Sequence, residues 1–429
     1  MKQYILVIFV GALMSSDYGL LNEYGNFKYI ISKGSTVRKV FNQYPNLRSP
    51  ATVSLLTGEF PCNHGIYFDN FNVRVRNYRR KLYEDIRVST LLDFFERSGN
   101  SIGVISLPIM EQSDFRYNFG KIDSVKIKDI LRSVYYGSSV YMLRNMFKYS
   151  DILKINVQPE NDNFSSILAM ELLEERKANV IFMELNHLSY VKERYSESSR
   201  EHIFDALMSL DRKIGDLVSW CDNKNILDSL TMCIVSGGGV CDHKKSININ
   251  YAFLKNGFLN IGKFGRIREY IAYAHCDGGS AFVYLKNPNN ISEYGRVKVF
   301  LDEFVRENSR FVSSIYETHS YNSLDLNNFS FILEGRPGCV FMEDINKTEF
   351  IEDIDIFSYP LNSRINKSFY GYSGKYENSN GMFISYGNKV NKNVYIDKCN
   401  IIDIAPTIAS FMDLDFKSSG KVIEGVKNS

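Results

Sequence analysis

The sequence predicts an α/β fold: a central, mostly parallel sheet with helices on both faces and a smaller α+β unit inserted near its end. Three observations carry this. The first is a set of short, wholly apolar runs, "YILVIFV" (Tyr4 to Val10), "VIFMEL" (Val180 to Leu185) and "LTMCIVS" (to Ser236), the pattern of strands covered on both faces. The second is their alternation with helical segments. The third is the periodicity of those segments: between about Ser199 and Cys221, Ile203, Leu207, Leu210, Ile214 and Leu217 recur at spacings of four and three, which lines one face of a helix.

The elements follow in chain order. "VSTLLDFFERSGN" reads as a helix capped by Ser89 or Thr90 and closed at Gly99, leading into the strand "SIGVIS". "NFSSILAMELLEERKAN" is a second helix before Val180, and "NYAFLKNGFL" (Asn250 to Leu259) a further one. From about Ile261 to Pro360 the pattern changes to shorter β-like runs, "SAFVYLKN", "RVKVFL", "FSFIL" and "GCVFME", among Asn-rich loops. The expected division is a core of residues 1–260 and 361–429 and an inserted subdomain of 261–360. "GMFISYG" is expected to rejoin the main sheet, and "DIAPTIASFMDLD" to close the chain as a helix.

A chain of 429 residues with 44% hydrophobic and 23% charged residues can bury a large core. Lys and Arg total 51 against 49 Asp and Glu, a net charge of +2. That balance gives no long-range attraction to nucleic acid or to an anionic membrane, so neither is expected as a partner. The local basic run "RVRNYRRK" (Arg74 to Lys81) reads as a solvated loop. Seven cysteines without a C-x-x-C spacing argue for a reducing compartment, with a cytoplasmic location as the expectation. The apolar start of the chain is read as a buried strand and not as a leader. No run reaches the length of a membrane span.

Chemistry concentrates between Tyr44 and Ile66, "YPNLRSPATVSLLTGEFPCNHGI". Pro50 is followed by Leu55, Thr57 and Gly58, then by "PCNHGI" from Pro61; "SGGG" (Ser236 to Gly239) ends a later strand and "DIAPT" (Asp403 to Thr407) opens the last helix. In this order and spacing the motifs resemble the alkaline-phosphatase superfamily, nearest its nucleotide pyrophosphatase/phosphodiesterase branch, over about residues 1–100, 165–260 and 365–425. The resemblance implies an alkaline-phosphatase-like fold. It also implies a hydroxyl nucleophile activated by two divalent ions, usually zinc, held by three carboxylates and three imidazoles.

None of the seven positions holds the residue the resemblance implies. The Asp ending the first strand falls on Val10 and the nucleophile on Arg48. The Asp after "VIFMEL" falls on Asn186, and the His four residues on falls on Tyr190. The Asp and His after the later strand fall on Gly237 and Gly238, and the last His on Tyr370. Val and Gly offer no side-chain ligand, and Arg48 is permanently cationic and cannot attack. The expectation is therefore a pseudoenzyme with no catalytic residues and no metal, acting by binding: an anion- or nucleotide-like ligand at Arg48, Tyr190 and Tyr370, or a protein partner. The alternative is a hydrolase or transferase of phosphate or sulfate esters with a relocated or metal-independent site.

Other features stay open at the level of sequence. Arg48 either receives an anion or fills the pocket paired with a carboxylate such as Glu184 or Asp242. Ser49, Thr52 and Ser54 flank the nucleophile position, Thr52 and Ser54 as capping or packing residues. "SGGG" is either an anion-binding nest of N–H groups or a flexible turn. "CDH" (Cys241 to His243) and "HCD" (His275 to Asp277) hold metal-binding residue types but read as loop residues.

Overall fold

The computed structural model describes residues 2–42, 44–68, 82–122, 126–155, 157–196, 199–262, 267–317, 329–355 and 366–428. The basic run Arg74 to Lys81 lies outside them. The main sheet has eight strands in the order Val394–Asn400, Ser35–Phe41, Gly381–Gly387, Leu230–Val235, Tyr4–Val10, Val180–Leu185, Ile102–Ile105 and Tyr117–Phe119. All neighbours are parallel except Gly381–Gly387, which runs antiparallel between Ser35–Phe41 and Leu230–Val235. The expected mostly parallel sheet is what the chain forms, and "GMFISYG" is the strand that rejoins it.

The central strand shows how sequence becomes layers. Successive side chains of a strand point to opposite faces. Leu6, Ile8 and Val10 enter one core with Phe164, Leu168 and Leu172 of the helix Glu160–Glu174 and Leu207, Ile214 and Leu217 of the helix Arg200–Asn223. Ile5, Val7 and Phe9 enter the other, with Leu55 and Leu56 of the helix Arg48–Thr57, Leu92 and Phe95 of the helix Leu91–Arg97, and Ile404 and Ile408 of the helix Ile404–Ser410. Thr90 caps Leu91–Arg97 by accepting from the Asp93 N–H at 3.2 Å, while Asp93 accepts from the Thr90 N–H at 2.7 Å.

A second, antiparallel sheet has the order Ala272–Asp277, Ser280–Leu285, Phe331–Gly335, Val312–Glu317. Its core runs from Ile247 to Phe341. Here two expectations are corrected. "RVKVFL" is not a strand but the middle of the helix Ile291–Glu307. The six residues alone look β-like, yet Val297, Leu301 and Phe304, at spacings of four and three, are the ones that are buried. Asn290 caps this helix by accepting from the Ser292 and Glu293 N–H groups. "CDH" and "HCD" are not loops either: they belong to the strands Cys241–Ile247 and Ala272–Asp277.

One buried ion pair frames the carboxyl end of the central strand. Lys192 Nζ donates to Asp17 Oδ2 at 2.7 Å and to the Ala12 carbonyl at 3.1 Å, and Asp17 Oδ2 also accepts from the Met14 N–H at 2.8 Å. The pair ties the loop after Val10 to the helix His187–Tyr195. Both side chains are buried, so each needs the other. Gly11 permits the same approach: a Cβ there would lie 2.8 Å from Ser189 Cβ.

Candidate functional site

The seven singled-out positions come together where parallel strands end, the place at which sites form in open α/β sheets. Val10 is the last residue of the central strand; Asn186 follows Val180–Leu185 and caps the helix His187–Tyr195; Gly237 and Gly238 follow Leu230–Val235. Arg48 opens the helix Arg48–Thr57, which starts two residues before Pro50. Val10, Arg48, Gly237, Gly238 and Tyr370 line one small cleft. Arg48, Asn186 and Tyr190 line a neighbouring cavity of about 240 Å³. Arg48 and Glu184 border both.

Glu184 organises the charge. Its side chain is 4% exposed. Arg48 donates to Oε1 from Nη2 at 2.8 Å and from Nε at 3.2 Å. Asn186 Nδ2 donates to Oε2 at 2.7 Å, and Lys121 Nζ lies 3.5 Å from the same oxygen. Burial alone would push this carboxyl up, but Arg48, Lys121 and the Asn186 hydrogen bond outweigh it and hold it below the usual range. Of the two carboxylates weighed for Arg48, Glu184 is the partner. Asp242 instead accepts from Ser196 at 2.5 Å and Ser368 at 2.6 Å. Lys121 carried no signal in the sequence: it follows a strand of only three residues, Tyr117–Phe119, too short for periodicity to reveal.

Nearby, Asp162 accepts from the N–H groups of Asn186 at 2.9 Å and His187 at 3.0 Å. It caps the helix His187–Tyr195 from outside, a charge at the positive end of the dipole. Burial raises its pKa to about 6 against those two hydrogen bonds.

The two tyrosines differ. Tyr370 is partly buried, with its hydroxyl 3.0 Å from Ser189 Oγ; burial, then Glu193, push its phenol above the ordinary range, with Arg48 opposing. Tyr190 is exposed at the cavity rim, with the Arg194 guanidinium 5.6 Å from its ring centre.

The donor set does not fit a zinc pair. The seven side chains include no carboxylate and no imidazole, and zinc takes its ligands from thiolates, imidazoles and carboxylates. Among the described residues no group of three or more His, Cys, Asp and Glu is placed to hold a metal ion. At Gly238, φ is +138° and a Cβ would land on Asn46 Nδ2 and the Ser379 carbonyl; at Gly237 it would lie 2.7 Å from Ala51 Cβ. The space an imidazole or carboxylate would need is taken. "SGGG" is accordingly a packed turn, with the Gly237 carbonyl accepting from Asn42 Nδ2 at 2.9 Å.

Two of the three hydroxyls near Arg48 have partners. Thr52 Oγ1 donates to the Arg48 carbonyl at 3.0 Å. Ser54 Oγ lies 3.0 Å from His64 Nε2, which looks like a serine–histidine pair. His64 Nδ1, however, accepts from the Ile66 N–H at 3.1 Å, so the proton sits on Nε2 and the ring donates to Ser54. A ring in that tautomer is not a base toward Ser54, and both residues are fully enclosed. His243 and His275 are apart from the site, His243 Nδ1 donating to the Lys367 carbonyl at 2.9 Å and His275 Nδ1 lying 2.5 Å from Glu343.

The fold and the site geometry define a class. The chain belongs to the type I phosphodiesterase / nucleotide pyrophosphatase family, whose model it matches over residues 4–352. Its fold is similar to that of human ectonucleotide pyrophosphatase/phosphodiesterase 5, with a TM-score of 0.69 and 14% identity, covering 100% of this chain and 100% of that one. The murine protein of the same name, solved as an inactive variant in complex with AMP, gives 0.67 and 13%, covering 98% of this chain and 97% of that one. Among curated protein sequences there is no match. The alkaline-phosphatase-like architecture expected from the motifs is thereby established. Among the described residues no helix is long and apolar enough to cross a membrane.

Arg48→Ala strands Glu184 with weaker partners. The expected loss is about 2–4 kcal/mol of stability at pH 7, because a buried charge keeps its desolvation cost. Adding Glu184→Gln should recover part of it. Urea unfolding of wild type, both single variants and the double variant measures the coupling; additive losses would contradict the pairing.

His64 sets an acid limit. Burial lowers its pKa from 6.5 to about 3. The unfolded chain therefore takes up the proton first, so this contribution is complete above about pH 6.5 and is lost as pH falls toward 3, at up to ~1.4 kcal/mol per pH unit. Urea midpoints at pH 7, 6, 5 and 4 should fall more steeply in wild type than in His64→Gln.

Proposed function

We propose that this chain is a non-hydrolysing member of its family that works by binding. The observation that carries this reading is the Arg48–Glu184 pair, with Nη2 2.8 Å from Oε1. On the family resemblance, Arg48 holds the place of the attacking hydroxyl. A guanidinium has no nucleophilic lone pair at physiological pH. It would also oppose a divalent ion by several kcal/mol at an effective dielectric near 20. The packed glycine turn supports the same reading, since a side chain at Gly237 or Gly238 would meet Ala51 or Asn46.

The pair also bears on what is bound. Arg48 and Lys121 face a cavity large enough for a small polar ligand, and the murine relative was solved with AMP. Both cations already contact Glu184, so a phosphate or sulfate group must compete with a carboxylate that is fixed in place. Anion affinity in the resting protein is therefore low, and Glu184 is the group that limits it.

Turnover is the direct test. Phosphodiester, phosphomonoester and sulfate-ester substrates, assayed with added zinc or manganese, should be cleaved no faster than by heat-inactivated protein. Arg48→Thr should not restore activity. A wild-type rate that copurifies with the protein and falls in Arg48→Ala would overturn the proposal in favour of a relocated or metal-independent active site.

Anion binding is tested separately by thermal shift with phosphate, sulfate and AMP. Wild type should respond weakly. Glu184→Gln should respond at least about tenfold more tightly, as expected when a competing charge is removed. Equal, tight binding by both would show that Glu184 does not limit the cavity.

A further inference from the structure

Two amphipathic helices, Ile127–Tyr136 and Ser139–Lys148, form a hairpin whose outer face is apolar. Gly137 joins them tightly, since a Cβ there would lie 3.0 Å from the Ser133 carbonyl. Val134 on the first helix and Tyr141 and Met142 on the second enter the same core, so the opposite faces of both helices look outward together. On those faces Ile127, Leu131 and Tyr135 recur every four residues, and Val140, Leu143 and Phe147 at spacings of three and four. All six are between 44% and 83% exposed.

This is a patch and not a scatter. Among the described residues, eight of the nineteen exposed large hydrophobic side chains lie between Ile127 and Val157. The six on the hairpin leave roughly 800 Å² open, beyond the largest apolar patch of a typical monomer and about one partner's share of a standard interface. These two helices keep a second apolar face in water, at a cost that a covering surface removes.

We infer that this hairpin is a self-association face, covered by the hairpin of a second copy of the chain about a two-fold axis. The charges around it decide between occupants. An anionic lipid surface or an acidic partner needs free cations, but four of the six between Lys126 and Lys154, namely Arg132, Arg144, Lys148 and Lys154, stand beside carboxylates of the same chain. Lys148 Nζ lies 3.0 Å from Glu171, Arg144 Nη2 lies 3.9 Å from Glu171 and Glu175, and Lys154 Nζ lies 3.6 Å from Glu160. What remains is an uncharged stripe with both signs at its edges, which is complementary to itself. Two copies would bring four helices together around one apolar seam, a packing that antiparallel helices form readily.

The hairpin also joins two stretches of the cavity wall: Lys121 and Ile122 precede it, and Leu153 and Ile155 follow it. Association would therefore hold the rim of the cavity beside Arg48. This holds whether or not the cavity hydrolyses anything.

Light scattering on the full chain should give a mass twice 49.4 kDa. Leu131→Glu combined with Phe147→Glu alters only exposed positions, so melting should be unchanged while association weakens at least about a hundredfold. Hydrogen exchange in wild type should slow at residues 127–147 as concentration rises. A single 49.4 kDa species up to about 100 µM, well above the dissociation constant of a standard interface, would overturn the inference. So would a dimer that survives both substitutions, or a monomer that binds phosphatidylserine vesicles through this face.

Discussion

A carboxylate with 4% of its side chain exposed must have cationic or hydrogen-bonding partners, and Glu184 imposes that requirement on the whole carboxyl end of the sheet. It sits one residue before the end of Val180–Leu185, opposite Phe9 in the parallel register. Its partners arrive from three other places in the chain: Arg48 from the first turn of a helix, Lys121 from beyond the edge strand, and Asn186 from the next helix's cap. A single buried charge thus fixes the relative positions of four segments. Buried ion pairs contribute little net stability when intact and cost a great deal when broken. Their effect here is to define one arrangement and to make its loss expensive.

The same logic explains what surrounds the pair. Buried polar groups have to satisfy one another. Asn46 and the Ser379 carbonyl occupy the space above Gly238, Ser189 meets the Tyr370 hydroxyl, and Lys192 meets Asp17. Together they narrow the end of the sheet at the glycine turn, where a small cleft is left, beside the larger cavity on the Lys121 side. On the proposed reading, ligand access has moved from the glycine turn toward that side.

How much of this was legible in the sequence follows from range. The buried strands were readable because a strand covered on both faces must be apolar throughout: "YILVIFV" and "VIFMEL" match Tyr4–Val10 and Val180–Leu185 residue for residue. Arg48 was readable because it breaks a motif at a fixed distance from Pro50. "RVKVFL" misled because six residues are too few to separate a period of two from one of 3.6; the buried positions Val297, Leu301 and Phe304 become visible only over the full helix. Lys121 was not legible at all, since its role depends on the position of an edge strand and on a carboxylate 63 residues away. The choice of Glu184 over Asp242 for Arg48 likewise waited on three dimensions.

Net charge illustrates the same limit. A balance of +2 over the chain argues against long-range attraction to polyanions, and the structure gives a local reason as well. The residues from Lys126 to Ile155 hold six Lys and Arg against two Asp, a composition that on its own would suggest an acidic partner. Folding brings the helix Glu160–Glu174 alongside, and Glu171 with its neighbour Glu175 takes up much of that excess. Much of the charge that sequence counts as free is spent within the molecule. The apolar stripe beside it is not, because no other element of the described chain covers it. Electrostatics sets which partner fits, but it is the uncovered apolar area that makes a partner favourable.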